Sequence, residues 1–196
     1  MEELKIFITS DWHFNHDKEF VWKERGFSSV EEMNEEIIRR HNSIVQPHDL
    51  VYVLGDNCLG GGSEEMLAAN KELIKRLNGK LIMINGNHDT DRRIEMYKYC
   101  RNVFDTGRDA IRFKYKKYHF FLCHFPMLTA NYDEGPKEVL LNLHGHTHQK
   151  TNFTEGSWSN YHVGMDSHKC YPVLLDNIIE EIKAEYNRLK EIKEKI

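Results

Sequence analysis

Five short segments of the sequence carry side chains of the types that bind metal ions in proteins. They are Asp11-x-His13, Gly55-Asp56, Gly86-Asn87-His88-Asp89, His124 and Gly145-His146-x-His148. Imidazole and carboxylate groups suit first-row divalent metals, and the segments contain no cysteine, which argues against a closed thiolate zinc site. Each segment follows a stretch that is typical of a β-strand. The sequence therefore predicts a metal site where several strands end.

Each segment taken alone also has an ordinary structural explanation. Asp11-x-His13 could be a turn and a surface histidine, although a spacing of two places both side chains on one face of an extended chain. Asp56 could lie in a tight turn, and a single histidine such as His124 is more often a core residue than a ligand. The segment at 86–89 carries an amide, an imidazole and a carboxylate in succession, which is more than a turn requires. Because all five segments follow predicted strands, coincidence is improbable.

The strands predicted to position these side chains are short and apolar. The stretches at 4–9, 50–54 and 80–84 read as buried strands, and each leads directly into a polar loop. Helical patterns lie between them, which is the rhythm of an α/β fold. Open α/β sheets place their ligands at the carboxyl ends of the strands, where these polar loops begin.

Two helices are signalled between the strands. The first has a capping-box pattern, Ser28 with Glu31, followed by apolar residues at helical spacing. The second has Ser63 as its predicted N-cap and is expected to stop at Asn78-Gly79. Both helices would pack an apolar face against the predicted strands.

The second half of the chain predicts a further sheet. The stretches at 110–115 and 118–123 alternate around a two-residue turn, as a hairpin does. The stretch at 138–143 resembles another strand and leads into the last histidine-rich segment. An amphipathic helix is expected from Asp176 to the end of the chain.

Size and composition indicate one globular domain spanning residues 1–196. A chain of 196 residues allows one substantial core but is short for two ordinary domains. The net charge of -4 gives no support for broad electrostatic capture of nucleic acid. The apolar run at 4–9 is too short for a signal sequence or a membrane span, so we expect a cytoplasmic protein. Four well-separated cysteines, Cys58, Cys100, Cys123 and Cys170, then read as free thiols.

The order of the five segments resembles that of the calcineurin-like metallophosphoesterases, and the resemblance extends from Asp11 to His148. The flanking stretches Asp11-Trp12-His13-Phe14-Asn15-His16 and Tyr171-Pro172-Val173 are similar to those of the small single-domain bacterial and phage members. The resemblance implies a four-layer α/β/β/α sandwich, with two packed mixed β-sheets flanked by helices.

The resemblance also implies a set of ligands for two divalent ions per chain, Mn, Fe, Ni or Zn. One ion would be bound by Asp11, His13 and His148, the second by Asn87, His124 and His146, and both by a bridging Asp56 through its two oxygens. Paired metal ions about 3.5–4 Å apart activate water and stabilise an in-line displacement at phosphorus. His88 would assist the leaving group and Asp89 would orient His88. His16 could contact the substrate phosphate or could equally be a solvated loop histidine.

These residues together predict metal-dependent hydrolysis of a phosphodiester, with a nucleotide-like or cyclic-nucleotide substrate as the first choice. A small-molecule phosphomonoesterase is the alternative. A catalytically silent scaffold usually loses motif residues, whereas this chain retains the complete set, including His88. A metal-binding or sensing protein would need the ligands but not His88, so the presence of His88 argues for an enzyme. The substrate is expected to be a small phosphate ester, with no membrane partner.

Three departures from related enzymes narrow the predicted function. Protein Ser/Thr phosphatases have an arginine-containing run after Gly-Asp, whereas this chain has the sequence Asn-Cys-Leu-Gly at 57–60. They also have glutamate where this chain has Asp89. The chain lacks room for the accessory domains of the related DNA-repair nucleases. A protein phosphatase and a processive nuclease are therefore both disfavoured.

Overall fold

The computed structural model describes residues 3–129 and 135–195, which form nine strands and five helices. In chain order these elements are β1 Ile6–Thr9, α1 Glu19–Trp22, α2 Val30–Ile44, β2 Leu50–Leu54, α3 Glu64–Lys75, β3 Lys80–Ile84, α4 Asp91–Tyr97, β4 Val103–Arg108, β5 Ala110–Tyr115, β6 Tyr118–Cys123, β7 Leu140–His144, β8 Asn160–His162, β9 Val173–Leu174 and α5 Leu175–Glu194. None of the described helices is long and apolar enough to cross a membrane. All four cysteines are free and buried.

The first sheet has the strand order β4-β3-β2-β1-β9. Strands β1 to β4 are parallel, with Ile6 beside Leu50 and Leu50 beside Lys80, whereas β9 is antiparallel to β1. Since parallel strands end at one edge of a sheet, the loops after β1, β2 and β3 begin side by side.

The second sheet has the strand order β5-β6-β7-β8. The hairpin β5–β6 is antiparallel, while β6, β7 and β8 run parallel, with His119 beside Leu140 and Asn142 beside Asn160. The loops that begin at His124 and Gly145 therefore leave the same edge of this sheet. Both sheets are mixed.

Two apolar clusters form the core, and alternate residues of the strands contribute to different clusters. Phe7 packs into the first cluster with Met33 of α2, while the next residue, Ile8, packs into the second with Phe120 of the other sheet. Successive side chains of a strand point to opposite faces, so one strand serves both clusters. Helices α2, α3 and α4 contribute to the first cluster and α5 to the second. The prediction of two packed mixed sheets flanked by helices is confirmed.

The start of α2 differs from the prediction by one residue. Its N-cap is Ser29, whose side chain accepts a hydrogen bond from the backbone N of Glu32 at 3.2 Å. The Glu32 carboxylate accepts from the backbone N of Ser28 at 2.7 Å, so the predicted Ser28–Glu31 box is wrong. Val30 is the first helical residue and is buried, which fixes the helical phase and leaves Ser29 as the preceding residue.

Other helices and strands also begin or end at residues that differ from the predicted ones. Helix α3 ends at Lys75, before the predicted Asn78-Gly79 stop, and β7 begins at Leu140, two residues later than predicted. Gly79 has φ +94°, and a Cβ there would lie 2.9 Å from the Val51 side chain, so this turn needs glycine. Strands β2 and β3 and the β5–β6 hairpin have the predicted bounds.

Candidate metal centre

The loops after β1 and β2 are joined by backbone hydrogen bonds. The backbone N of Asp11 donates to the carbonyl of Gly55 at 3.0 Å, and that of His13 donates to the carbonyl of Asp56 at 3.0 Å. This pairing continues the register of the two parallel strands beyond their ends. It brings the carboxylates of Asp11 and Asp56 into one buried centre.

Much of this centre is formed by backbone in the left-handed region. Five of the predicted ligands have positive φ: Asp11 (59°), His13 (52°), Asp56 (54°), His146 (67°) and His148 (49°). This conformation is uncommon outside glycine, is best tolerated by Asn, Asp and His, and costs on the order of 1–3 kcal/mol per residue. Such strain persists only where the surrounding structure imposes it, and it concentrates at functional sites.

Close backbone approach explains two of the three glycines that precede ligand segments. A Cβ on Gly86 would overlap the Asp56 carboxylate, and a Cβ on Gly145 would overlap both Ser10 and the Asp11 carboxylate. Any larger residue would push a loop away from the buried acids. The glycines therefore allow loops from both sheets to close around the same two carboxylates.

Imidazole nitrogens surround the two carboxylates at distances longer than normal hydrogen bonds. His13 Nε2 lies 3.8 Å from Asp11 Oδ1 and 3.7 Å from Asp56 Oδ2. His148 Nε2 lies 3.8 Å from Asp11 Oδ1, and His124 Nε2 lies 3.5 Å from Asp56 Oδ2. Ligand atoms about 2.0–2.2 Å from one ion lie roughly 3–4 Å from each other, so these gaps match shared cations.

The donor set fits divalent metal ions. His13 Nε2 is buried and has no hydrogen-bond partner among the described residues, although it faces both carboxylates. Two groups of potential ligand atoms are close enough to share an ion: Asp11, His13 and His148, and Asp11, Asp56 and His124. The first group is the predicted ligand set of one ion. Asp11 is common to both groups, which the sequence did not indicate.

Asn87 and His146 adjoin the second group. Asn87 Oδ1 lies 2.9 Å from His124 Nε2 and 2.8 Å from His146 Nδ1. The three side chains predicted to bind a second ion are thus in mutual contact. The structure brings all seven predicted ligands to one edge of the two sheets.

Asp56 differs in detail from the predicted bridge. Its Oδ1 accepts a hydrogen bond from the backbone N of His88 at 2.8 Å. Its Oδ2 faces His13 at 3.7 Å and His124 at 3.5 Å, which belong to different predicted sites. Oδ2 is therefore the oxygen of Asp56 that faces ligands of both predicted sites.

In two of the histidines, the ring nitrogen Nδ1 contacts an oxygen atom and so fixes the orientation of the ring. His148 Nδ1 lies 2.7 Å from Asp166 Oδ2, and His124 Nδ1 lies 2.8 Å from the carbonyl of Leu54. Metal-binding histidines commonly donate their other N–H to a carboxylate or carbonyl, which fixes the ring and its tautomer. In both cases Nε2 is left to face the buried acids.

Asp166 and Arg25 contact residues of the candidate centre, and the sequence analysis missed both. Arg25 contacts the Asp166 carboxylate at 3.1 and 3.3 Å and also donates to the carbonyl of Asp11 at 2.9 Å. Asp166 comes shortly after β8 and Gly164, so a strand, a glycine and an acid again occur together. That pattern is the signal that could have found it.

The charges of the centre shift the pKa values of its acids. Burial by itself raises the pKa of Asp11, but contact with His13 and the charges of His148 and His124 outweigh it and lower the pKa well below its ordinary value. Burial likewise raises the pKa of Asp56, and contact with His124 reverses the shift. Both carboxylates are therefore ionised at neutral pH and available to a cation.

Asp89 has a different role from the predicted one. Its buried carboxylate accepts hydrogen bonds from the backbone N of Asp56 (2.8 Å), Asn57 (3.3 Å) and Gly86 (2.9 Å) and from the Tyr97 hydroxyl (2.8 Å). Among the described residues no hydrogen bond joins it to the His88 ring. Asp89 therefore positions the loops after β2 and β3 rather than orienting His88, because its lone pairs are directed to their backbone.

The metal centre opens into a cavity of about 520 Å³. His16 and His88 both line it, and His16 Nδ1 lies 3.1 Å from His13 Nδ1. Burial, together with the neighbouring His13 and His88 rings, lowers the pKa of His16 to about 4, so it is a neutral ring at pH 7. A contact between His16 and substrate stays a prediction.

Comparison with known proteins identifies a matching family model and a similar protein. A family model described as calcineurin-like phosphoesterase matches residues 4–150. The chain is 32% identical over 189 residues to the uncharacterized protein MJ1445 of Methanocaldococcus jannaschii, and the match covers 93% of this chain and 94% of that protein.

Two solved structures are also similar to this chain. A protein of unknown function from Aquifex aeolicus, AQ665, matches with a TM-score of 0.63 and 19% identity, covering 91% of this chain and 99% of that chain. Yfce, a phosphoesterase from E. coli, matches with a TM-score of 0.45 and 20% identity, covering 82% of this chain and 78% of that chain. The first of these likenesses supports the fold described above.

Proposed function

The chain belongs to the calcineurin-like phosphoesterase family, and we propose that it hydrolyses a nucleotide-like or cyclic phosphodiester through a dinuclear metal centre. The observation that carries the proposal is the unpartnered Nε2 of His13, which is buried and faces the carboxylates of both Asp11 and Asp56. A buried nitrogen and two buried carboxylates in this arrangement suit a shared cation.

The ligands divide between two ions as the family resemblance implies. Asp11, His13 and His148 would hold one, Asn87, His124 and His146 would hold the other, and Asp56 would be shared by both. Two bound ions would supply hydroxide at neutral pH and neutralise the oxygens of the reacting phosphate. Mn, Fe, Ni and Zn all suit this mixture of nitrogen and oxygen ligands.

We infer that His88 protonates the leaving group. Its backbone N donates to Asp56 Oδ1, and its carbonyl accepts from Arg93 at 2.5 Å. Both backbone polar groups of His88 are therefore hydrogen-bonded, which fixes its position. The ring is half-buried, lines the cavity and lies 3.9 Å from Asp56 Oδ2. An imidazole at this position can deliver a proton to the departing oxygen.

The distribution of basic residues favours diesters over monoesters. A monoester dianion needs more cationic neutralisation than a diester monoanion, and arginine is the usual supplement. Arg92 contacts Gly62 and Glu64, and Arg93 donates to backbone carbonyls, so neither is among the residues that line the cavity. Arg25 lines it but is paired with Asp166.

Lys150 supports a second candidate function, a small-molecule phosphomonoesterase. It lines the cavity, its side chain is 56% exposed, and its Nζ lies 3.7 Å from Asp166 Oδ1. The flexible side chain of Lys150 could bring its ammonium to an additional phosphate charge in the cavity. The two candidates therefore differ in whether Lys150 assists the reaction.

The deciding experiment compares kcat/KM for p-nitrophenyl phosphate and bis(p-nitrophenyl) phosphate with the protein loaded with each metal in turn. We expect the diester to be cleaved faster. A clear monoester preference that Lys150→Ala removes would establish the second candidate. Metal binding without turnover of either ester or of a nucleotide panel would leave the catalytically silent scaffold.

The number of ions is tested by elemental analysis after loading. Two ions per chain are expected, and Asp56→Ala should weaken both sites because Oδ2 faces ligands of both. Asp17→Ala, which removes an exposed carboxylate from the loop beyond His16, is the matched control and should retain two ions. Saturation at one ion in the wild-type protein would refute the dinuclear centre.

A further inference from the structure

One wall of the active-site cavity has no role in the proposed chemistry. It is formed by Phe20 and Val21 of α1, by Glu24 just beyond that helix, and by Lys150. The Lys150 ammonium lies 3.3 Å from the carbonyl of Glu24, which closes the wall across two distant parts of the chain. We call these four residues the α1 wall.

Phe20 is exposed although its neighbours are anchored. Val21 is buried in the first apolar cluster and Trp22 packs against that cluster, whereas the Phe20 side chain remains 69% exposed. The Phe20 ring meets His16 edge-on, with 5.8 Å between centroids. A short helix fixed by two apolar residues thus presents a third to the cavity.

We propose that Phe20 is a stacking platform for a planar aromatic substituent of the phosphate ester, of the nucleobase class. This inference rests on the proposed phosphoesterase function and assigns the part of the cavity that recognises the organic group. An exposed aromatic face stacks planar rings favourably, and every nucleobase has such a face. Glu24 and Lys150 add an acceptor and a donor beside the ring, which suits a base with polar edges better than a plain hydrocarbon.

The position of Phe20 separates it from an ordinary exposed aromatic residue. Single exposed apolar side chains are common and need no function. Phe104 of β4 is such a case, because it is 65% exposed and does not line the cavity. Phe20 lines the same cavity as His16 and His88, so a group stacked on it lies beside the reacting phosphate.

Equilibrium binding to the metal-loaded protein tests the platform without requiring turnover. Adenosine 5′-monophosphate is compared with ribose 5-phosphate, which lacks the base. We expect the wild-type protein to prefer the nucleotide, and Phe20→Ala to weaken its binding roughly 5- to 100-fold, the loss that follows removal of one base–aromatic stack. Ribose 5-phosphate binding should be unchanged, and Phe20→Trp should retain the preference.

Phe104→Ala is the matched control, since it removes the same side chain from a similarly exposed position outside the cavity. It should bind both ligands as the wild-type protein does. Nucleotide binding that is unaffected by Phe20→Ala would overturn the proposal. An equal loss for both ligands would also overturn it, because the effect would then belong to the phosphate end.

Hydrolysis separates failure of this inference from failure of the proposed function. The substrates are the p-nitrophenyl ester of thymidine 5′-phosphate and methyl p-nitrophenyl phosphate, which share a leaving group. Cleavage of both with no effect of Phe20→Ala would refute the platform and leave the phosphodiesterase standing. Cleavage of neither, with Phe20-dependent nucleotide binding, would refute the phosphodiesterase and leave the platform.

Discussion

Replacement of Asp166 by asparagine tests whether a residue outside the predicted ligand set controls metal binding. Asp166 Oδ2 lies 2.7 Å from His148 Nδ1, and its carboxylate is paired with Arg25. Contact with His148 and Arg25 overcomes the effect of burial, so the pKa of Asp166 lies well below its ordinary value. Asp166→Asn keeps the shape of the side chain and removes its charge.

The expected loss can be divided between metal affinity and folding. A residue that orients a metal-binding histidine contributes about 10–100-fold to affinity, which corresponds to about 1.4–2.8 kcal/mol. Folding also suffers, because the Arg25 side chain is only 1% exposed and loses its partner charge. Breaking a buried ion pair costs about 3–5 kcal/mol. We expect the lower end, since Arg25 still donates to the carbonyls of Asp11 and Trp12.

Metal affinity is measured by competition with a chelator, and stability by urea unfolding of the metal-free protein. Lys150→Ala is the control, because Lys150 also approaches Asp166, at 3.7 Å, but from an exposed position. It should change metal affinity by less than about threefold. A folded Asp166→Asn protein that binds metal as tightly as the wild type would refute the orienting role of Asp166.

Two further predictions concern catalysis and pH. His88→Ala should keep its metal content and lose roughly 10²–10⁴ in turnover, and the loss should shrink with better leaving groups; an equal loss for all leaving groups would remove the general-acid role. Burial lowers the pKa of His41 to about 4, while its Nε2 contacts the carbonyl of Asn78 at 2.8 Å. The unfolded chain binds this proton near pH 6.5, so stability is complete above that pH and declines as pH falls toward 4. Urea unfolding should show that the wild type loses about 2 kcal/mol more than His41→Gln between pH 7.5 and 5, and parallel losses would contradict the assignment.

The sequence predicts this centre well where its chemistry is local. Strand β2 and the last four residues of β3 are apolar runs, and each strand passes directly into a polar loop, so their ends can be read without knowledge of the fold. The ligand segments follow strand ends, and parallel pairing then brings those ends to one edge. Residue type and strand position together are enough to locate the centre.

The parts that could not be predicted depend on contacts between distant residues. Asp166 pairs with Arg25, 141 positions away, and neither has a local pattern that reveals the pairing. Strand β9 has two residues and α1 has four, which is too short for hydrophobic periodicity to be recognised. The loop-positioning role of Asp89 likewise depends on the geometry of two loops that only the folded chain brings together.

The left-handed backbone at Asp11, His13 and Asp56 is held by hydrogen bonds between the loops that follow the strands of the first sheet. In the same buried centre, Asp11 and Asp56 place two negative charges that histidines neutralise only in part. Hydrogen bonds from Asp11 and His13 to the neighbouring loop hold the strained backbone in place, and Asp89 holds that loop to the next. The strain is therefore sustained by hydrogen bonds within the protein. A bound cation would offset the remaining cost of placing two carboxylates together, because its positive charge would balance their negative charges.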